Sequence, residues 1–221
     1  MTPVVIMCGG RGLRLHPLTE KTPKPLLRVG THPILETIVT GFAEQGFKRL
    51  WLAVNYHADL IEGYFGNGQG RGVKIRYLHE REPLGTAGAL ALLPGFDVPF
   101  IVSNADVLTK VSYGHLMEAH ARSGALATVC TALHQQQIPY GVVSNGDAGF
   151  NIREKPIENF QVNAGIYVIE PEALEQLPKG RFDMPELLLS LEKVNIFPIE
   201  DFWYDIGGFE EYARANAEWN V

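Results

Sequence analysis

The sequence predicts an α/β protein with a mostly parallel sheet covered by helices on both faces and a smaller β-rich lobe. Three observations carry that expectation. Apolar strand-like runs alternate with helical spacings from the first residues to about residue 133. From Tyr140 onward the texture changes to strand signals with little helix among them. A length of 221 residues, 46% of them hydrophobic, suits one sizeable α/β domain and is short for two. The predicted organisation is a single domain over 1–221, with one lobe over about 1–135 and a second, with a C-terminal helix, over about 136–221.

The elements follow in order. Val4 to Met7 is an apolar run that reads as a buried strand. Over Pro33 to Gln45 the spacing of Ile34, Ile38 and Phe42 predicts a helix, with Gly46 as its stop. Strands are predicted over 50–54, 73–78, 100–103 and 125–133, and helices over 59–65, 86–93 and 116–122. In the second lobe strands are predicted over 141–144, 152–155, 163–169 and 194–198, with helices over 185–191 and 210–219. Ligands on such sheets bind outside the carboxyl ends of the strands. Two segments fall there: the loop from Gly9, and Asn104-Ala105-Asp106.

That loop is the most informative stretch of the chain. Gly9, Gly10 and Gly12 allow a tight turn and a close backbone approach to a ligand. Between residues 9 and 30 lie Arg11, Arg14, Lys21, Lys24 and Arg28 against one acid, Glu20, in a chain of net charge −6. A cationic, glycine-rich loop on an acidic protein suits a small polyanion, most plausibly phosphates. No G-x-x-x-x-G-K-[ST] can be read, and Leu15 stands where a dinucleotide fingerprint needs its third glycine. In Thr22-Pro23-Lys24-Pro25 the prolines stiffen the backbone and are expected to hold Lys24 on a non-helical segment.

Asp106 closes a strand-like run, and Asp205 lies in Trp203-Tyr204-Asp205-Ile206-Gly207-Gly208. Each could cap a turn, and each could hold Mg²⁺, which takes one or two carboxylates plus substrate phosphates. Glu82-Pro83-Leu84-Gly85-Thr86-Ala87-Gly88 puts small residues at a helix start. Gly85 and Gly88 there serve either a flat base against the backbone or close helix packing. Glu154-Lys155-Pro156 repeats the proline-stiffened lysine on a surface strand end.

Across this ordered series the chain resembles the sugar-1-phosphate nucleotidylyltransferases. Their signature, close to G-G-x-G-T-R-L-x-P-L-T followed by P-K-P, appears here as Gly9 to Thr19 and Pro23 to Pro25, with Leu13 replacing the usual threonine. The family's N-G-D is N-A-D here, with Ala105 at the glycine position. The resemblance implies a Rossmann-like fold and transfer of a nucleotidyl group from an NTP to a sugar 1-phosphate. The P-L-G-T-A-G form is the one associated with guanylyltransferases acting on mannose-, heptose- or hexosamine-type sugar phosphates. Cytidylyl-, uridylyl- or thymidylyltransfer, and a non-catalytic nucleotide-sugar sensor, are the alternatives.

By the same resemblance Arg14, Lys24 and Lys155 are the catalytic cations. Cys8, Gly9, Gly10, Arg11, Gly12, Leu13, Pro83, Gly85, Thr86 and Gly88 bind the nucleotide. Tyr140, Gly141, Glu154 and Asn163 bind the sugar, and Asp106 and Asp205 hold Mg²⁺. His16, His32, His57 and His79 receive no role. The acidic balance argues against nucleic acid as a partner. No run approaches eighteen apolar residues, so no membrane span is expected. Cys8 and Cys130 read as buried reduced thiols. The expected location is cytoplasmic, and a homo-oligomer is compatible with the sequence.

Overall fold

The computed structural model describes residues 2–146, 149–178 and 180–219. Its first half winds β1 (Pro3–Met7), β2 (Arg28–Val29), β3 (His32–Pro33), α1 (Ile34–Glu44), β4 (Arg49–Val54), α2 (Ala58–Phe65) and β5 (Lys74–His79). Then come α3 (Gly85–Gly88), β6 (Phe100–Asn104), β7 (Val107–Thr109) and α4 (Tyr113–Ser123). The second half contains β8 (Ala127–Gln137), β9 (Val142–Gly146), β10 (Gly149–Arg153) and β11 (Ile157–Ile169). It ends with α5 (Met184–Ser190), β12 (Val194–Pro198), β13 (Trp203–Asp205) and α6 (Phe209–Glu218).

A seven-stranded sheet in the order β12-β8-β11-β6-β1-β4-β5 organises the molecule. The pairs β1–β4, β1–β6, β4–β5 and β8–β12 are parallel, and β11 runs antiparallel to both β6 and β8. Because side chains alternate along a strand, each central strand feeds two cores at once. Val4, Ile6, Leu50, Leu52 and Val54 join one apolar cluster with α1 and α2, centred on Ile34, Leu35, Phe42 and Ile61. Val5, Trp51, Ala53, Phe100 and Val102 face the other, with Leu90, Met184 and Leu187. In α1 the buried set Ile34, Leu35, Ile38, Val39 and Phe42 has the predicted helical spacing, and Gly46 follows with φ 87°.

Four expectations are corrected. The helix over 86–93 is one α turn followed by a 3-10 turn, Ala89–Leu92. Gly85, where the α turn opens, has φ 81°. The Ala87 and Gly88 N–H groups donate to the Phe182 carbonyl, at 3.0 Å each. Lys24 does not sit on a non-helical segment but opens a 3-10 turn, Lys24–Leu26. Proline fits the first positions of such a turn because the N–H it lacks would be unpaired there. The strand expected over 163–169 begins at Ile157, because 157–163 pairs in register with 131–137 and needs no apolar run to do so. The strand expected to reach Lys155 stops at Arg153, since Lys155 adopts a left-handed φ of 44°.

β8 and β11 therefore belong to the central sheet at one end and project as a two-stranded ribbon at the other. The hairpin β9–β10 lies between them in sequence. The β-rich texture after Tyr140 comes from this ribbon and hairpin, and the strands continue from one lobe into the other.

Candidate active site

The carboxyl ends of β1, β4, β5 and β6 deliver Cys8, Asn55, Glu80 and Asp106 to one edge of the sheet. The ladder runs on past the strands, through Cys8 N–H to the Ala53 carbonyl at 2.7 Å and Glu80 N–H to the Val54 carbonyl at 3.0 Å. The loops thus leave the sheet in fixed register. A cleft of about 500 Å³ opens there, lined by the whole run Met7 to Arg14 together with Lys24, Pro25, Asn55, Pro83, Ala105, Asp106 and Gly207.

Gly12 shapes this loop. Its φ is 62°, and a Cβ there would meet Thr19 Cγ2 at 3.0 Å and Lys24 Cβ at 3.1 Å. Only glycine combines that backbone with that contact. The Gly12 carbonyl accepts from the buried Thr19 hydroxyl at 2.9 Å and from Leu15 N–H at 2.9 Å. The phosphate-type loop is thereby fastened to the segment carrying Lys24. Arg14 lies on Gly207, where an added Cβ would come 3.1 Å from its Nη1. Leu13, at the position where the resemblance calls for threonine, is 72% exposed at the cleft lip.

The charged centre is assembled across the chain. Lys24 is buried and its Nζ pairs with Asp106 Oδ2. β13 adds to β7 so that Asp205 lies opposite Val107, and Ile206 N–H donates to the Asp106 carbonyl at 3.0 Å. Burial, followed by the negative charge of Asp106, pushes the Asp205 carboxyl above its usual range, while Lys24 and Arg14 pull it down. Asp106 Oδ1 is buried with no hydrogen-bond partner. A buried carboxylate oxygen without a donor, beside a second carboxylate, suits a hard cation. Among the described residues no three His, Cys, Asp or Glu side chains cluster as a metal cage. Two carboxylates by themselves leave most of a hard cation's oxygen ligands to be supplied by other groups.

A second hollow of about 190 Å³ lies against Asp205, lined by Asn104, Asn163, Gly165, Tyr167 and Trp203 among others. Asn163 Oδ1 accepts from Gly165 N–H at 2.9 Å, which fixes the amide. Gly165 has φ 73°, and a Cβ there would strike Asn104 Nδ2 at 2.6 Å.

Other expected residues gather elsewhere. Tyr140, Gly141, Glu154 and Lys155 form their own exposed group on the second lobe. Lys155 N–H donates to the Tyr140 carbonyl at 3.2 Å, and a Cβ at Gly141 would lie 3.0 Å from Glu154 Oε2. None of the four lines either hollow. Of the Pro83–Gly88 stretch only Pro83 reaches the cleft. A Cβ at Gly85 would come 2.6 Å from the Phe182 carbonyl oxygen, and one at Gly88 2.9 Å from that of Gly180. Of the two uses open to these glycines, close packing accounts for them, against the 180–183 loop. The Thr86 hydroxyl lies 3.3 Å from Asp183 Oδ1 and accepts from Met184 N–H at 2.7 Å, so it clamps α3 to α5.

The sequence reading missed Asn55, Glu80, Asn104 and Gly207. Glu80 Oε2 accepts from Leu84 N–H at 3.0 Å, and Oε1 would lie 2.6 Å from a Cβ on Gly9. Burial raises its pKa, partly offset by the Leu84 hydrogen bond. Asn55 and Glu80 each follow a parallel strand directly, so the strand-end rule that found Asp106 reaches them too.

A sheet with a glycine–arginine loop at its carboxyl edge and carboxylates across a cleft defines a phosphate-handling α/β protein. The chain belongs to the nucleotidyl transferase family, whose model matches residues 3–220. It is 34% identical over 220 residues to a mannose-1-phosphate guanyltransferase of Yarrowia lipolytica, covering 92% of this chain and 60% of that protein. It is 32% identical to a UTP–glucose-1-phosphate uridylyltransferase of Synechocystis sp., covering 96% and 61%. The crystal structure of HddC from Yersinia pseudotuberculosis superposes with a TM-score of 0.79 at 26% identity, covering 100% of both chains. The chain thus spans about 60% of the length of the curated relatives it matches. Among the described residues no helix is long and apolar enough to cross a membrane.

Proposed function

We propose that this chain transfers a nucleotidyl group from an NTP to a sugar 1-phosphate, giving an NDP-sugar and pyrophosphate. The observation that carries this reading is the convergence of the Gly9–Arg14 loop, Lys24 and Asp106 on one cleft, with Asp205 beside Asp106 on the wall of the adjoining hollow. An oxygen of the sugar phosphate forms a bond to the α-phosphorus, and the bond from that phosphorus to the bridging oxygen of the pyrophosphate breaks. A phosphate monoester is ionised near neutral pH, so no general base is needed. The obstacle is repulsion between two polyanions and charge gathering on the leaving group.

The residues answer that obstacle. Arg14, held flat on Gly207, and Arg11 serve the triphosphate, and the Gly9–Gly12 backbone permits its close approach. Lys24 stands where the reacting phosphates meet, and its tie to Asp106 keeps it there. Asp106 and Asp205 would hold Mg²⁺, which supplies charge neutralisation for the phosphates when bound. Asn163 and Asn104 offer amides to sugar hydroxyls beside the carboxylates, since an amide both donates and accepts. Lys155 and Glu154 would serve the sugar phosphate and sugar from the second lobe.

GTP and a mannose-type sugar phosphate are the proposed pair, supported by the guanyltransferase relatives. A uridylyl relative at nearly equal identity makes UTP with glucose 1-phosphate the second pair to test. Pyrophosphate release should be assayed over four NTPs and a panel of sugar 1-phosphates, with Mg²⁺ and with chelator. Release that needs Mg²⁺ and is fastest with GTP and mannose 1-phosphate is the expected result. Nucleotide-sugar binding without release under any pairing would replace the enzyme by a sensor.

A further inference from the structure

At the amino end of the sheet, away from the cleft, β4 and β5 place Arg49, Lys74 and Arg76 around Trp51 in a hollow of about 300 Å³. Register explains the grouping. Arg49 pairs with Lys74 and Trp51 with Arg76, and residues two apart share a face, so all four lie on one side of the sheet. The indole is buried and braced edge-on by Phe96 at 4.9 Å between centroids. The Arg49 and Arg76 guanidiniums lie over it, 5.4 and 5.6 Å from the ring centroid.

We infer that this hollow is a second anion site, built for an oligophosphate: free pyrophosphate or the phosphate chain of a nucleotide. β5 is an edge strand, and cations on an edge strand deter pairing with other chains, which is the ordinary reason to find Lys74 and Arg76 there. That reason asks only for charge in solvent. Here two guanidiniums from neighbouring strands are laid on one fixed ring. Stacking occupies the face of the Arg76 guanidinium and leaves its N–H edge for a ligand. Neither Lys74 nor Arg76 is held in an ion pair among the described residues. Lys74 and Arg76 on one concavity, in a chain of net charge −6, are enough to select a ligand with more than one negative charge. The strand length separates this hollow from the cleft by roughly 17 Å, so one phosphate chain does not bridge the two.

The test is an amide NMR titration of ¹⁵N-labelled protein with pyrophosphate, then with GTP, both without Mg²⁺. The amides of 49–51 and 74–76 and the Trp51 indole are expected to shift along a saturable curve of their own. Lys74→Glu with Arg76→Glu should weaken that curve at least about tenfold, while the shifts over 9–14 persist. Should the double reversal disturb folding, Lys74→Gln with Arg76→Gln gives a smaller loss in the same direction. Saturation with pyrophosphate alone identifies the free anion as ligand, and saturation with both includes the nucleotide. Shifts confined to residues 9–14 would overturn the second site and leave the proposed reaction standing. Shifts confined to the rear hollow would do the reverse.

Discussion

In the Gly9–Lys24 region Gly12, Arg14 and Lys24 are each tied to another part of the site. Gly12 is fixed by Thr19, Arg14 rests on Gly207, and Lys24 pairs with Asp106 on the cleft wall. On the second lobe Tyr140 is 74% exposed, Phe150 and Ile152 also face solvent, and Lys155 is kept in a left-handed conformation by a single backbone hydrogen bond. The first region is rigid because its packing leaves no alternative. The second is adjustable, which suits an acceptor that must enter and leave. Preorganised charge near the reacting phosphorus and adaptable contacts farther out make different demands on the fold.

The largest expected effect breaks the rigid region. Lys24→Ala should lower kcat/KM by about a hundredfold or more, since it removes one fixed charge partner of the transition state. It also leaves the partly buried Asp106 without its cation. A near-normal rate of pyrophosphate release would remove Lys24 from the mechanism. Next comes Gly85→Ala, expected to cost about 1–3 kcal/mol because a Cβ has no room at that φ. At roughly 2–4 °C of Tm per kcal/mol for a chain of this size, calorimetry will resolve it. An unchanged Tm would show that the 180–183 loop is not packed on α3.

The adjustable lobe should respond differently. Lys155→Gly relieves the left-handed backbone, so the fold should hold or gain up to about 1 kcal/mol. The KM for the sugar phosphate should rise by about tenfold while nucleotide affinity stays put. Equal losses for both substrates would erase the contrast between the regions. The smallest effect concerns Glu80, whose folded pKa lies above its unfolded value because of burial. The folded state then binds more protons in the window from the ordinary carboxylate range up to the folded pKa, so stability falls as pH rises through it. Glu80→Gln retains an acceptor for Leu84 N–H and should raise Tm at neutral pH. That gain should vanish on acidification, and a gain that persists at low pH would place its cause outside this titration.

Much of this was legible in the residues. The unbroken apolar runs Val4–Met7 and Leu50–Val54 announced buried strands, which the structure fills into a core on each face, and the helical spacing over Ile34–Phe42 set the buried face of α1. The glycines of the loop foretold a backbone that carries positive φ at Gly12. The ribbon was harder, because residues 157–163 alternate weakly and become a strand only when 131–137 offers a partner. Pro83–Gly88 was read as small residues at a helix start, with base contact and close packing both open, because what it packs against lies almost a hundred residues away in sequence, at Asp183.

Local chemistry by itself therefore determined the buried strands of the first half, the helix over Ile34–Phe42, the cationic loop and the acids singled out as metal candidates, because these depend on neighbours within a few residues. Tertiary structure alone decided that Lys24 meets Asp106 across 82 residues, and that β13 pairs with β7 to bring Asp205 beside them. It also decided that the second lobe's Lys155 stands apart from the cleft. Which loops meet is fixed by strand order and register, and those emerge only when the two buried faces of the sheet are satisfied together.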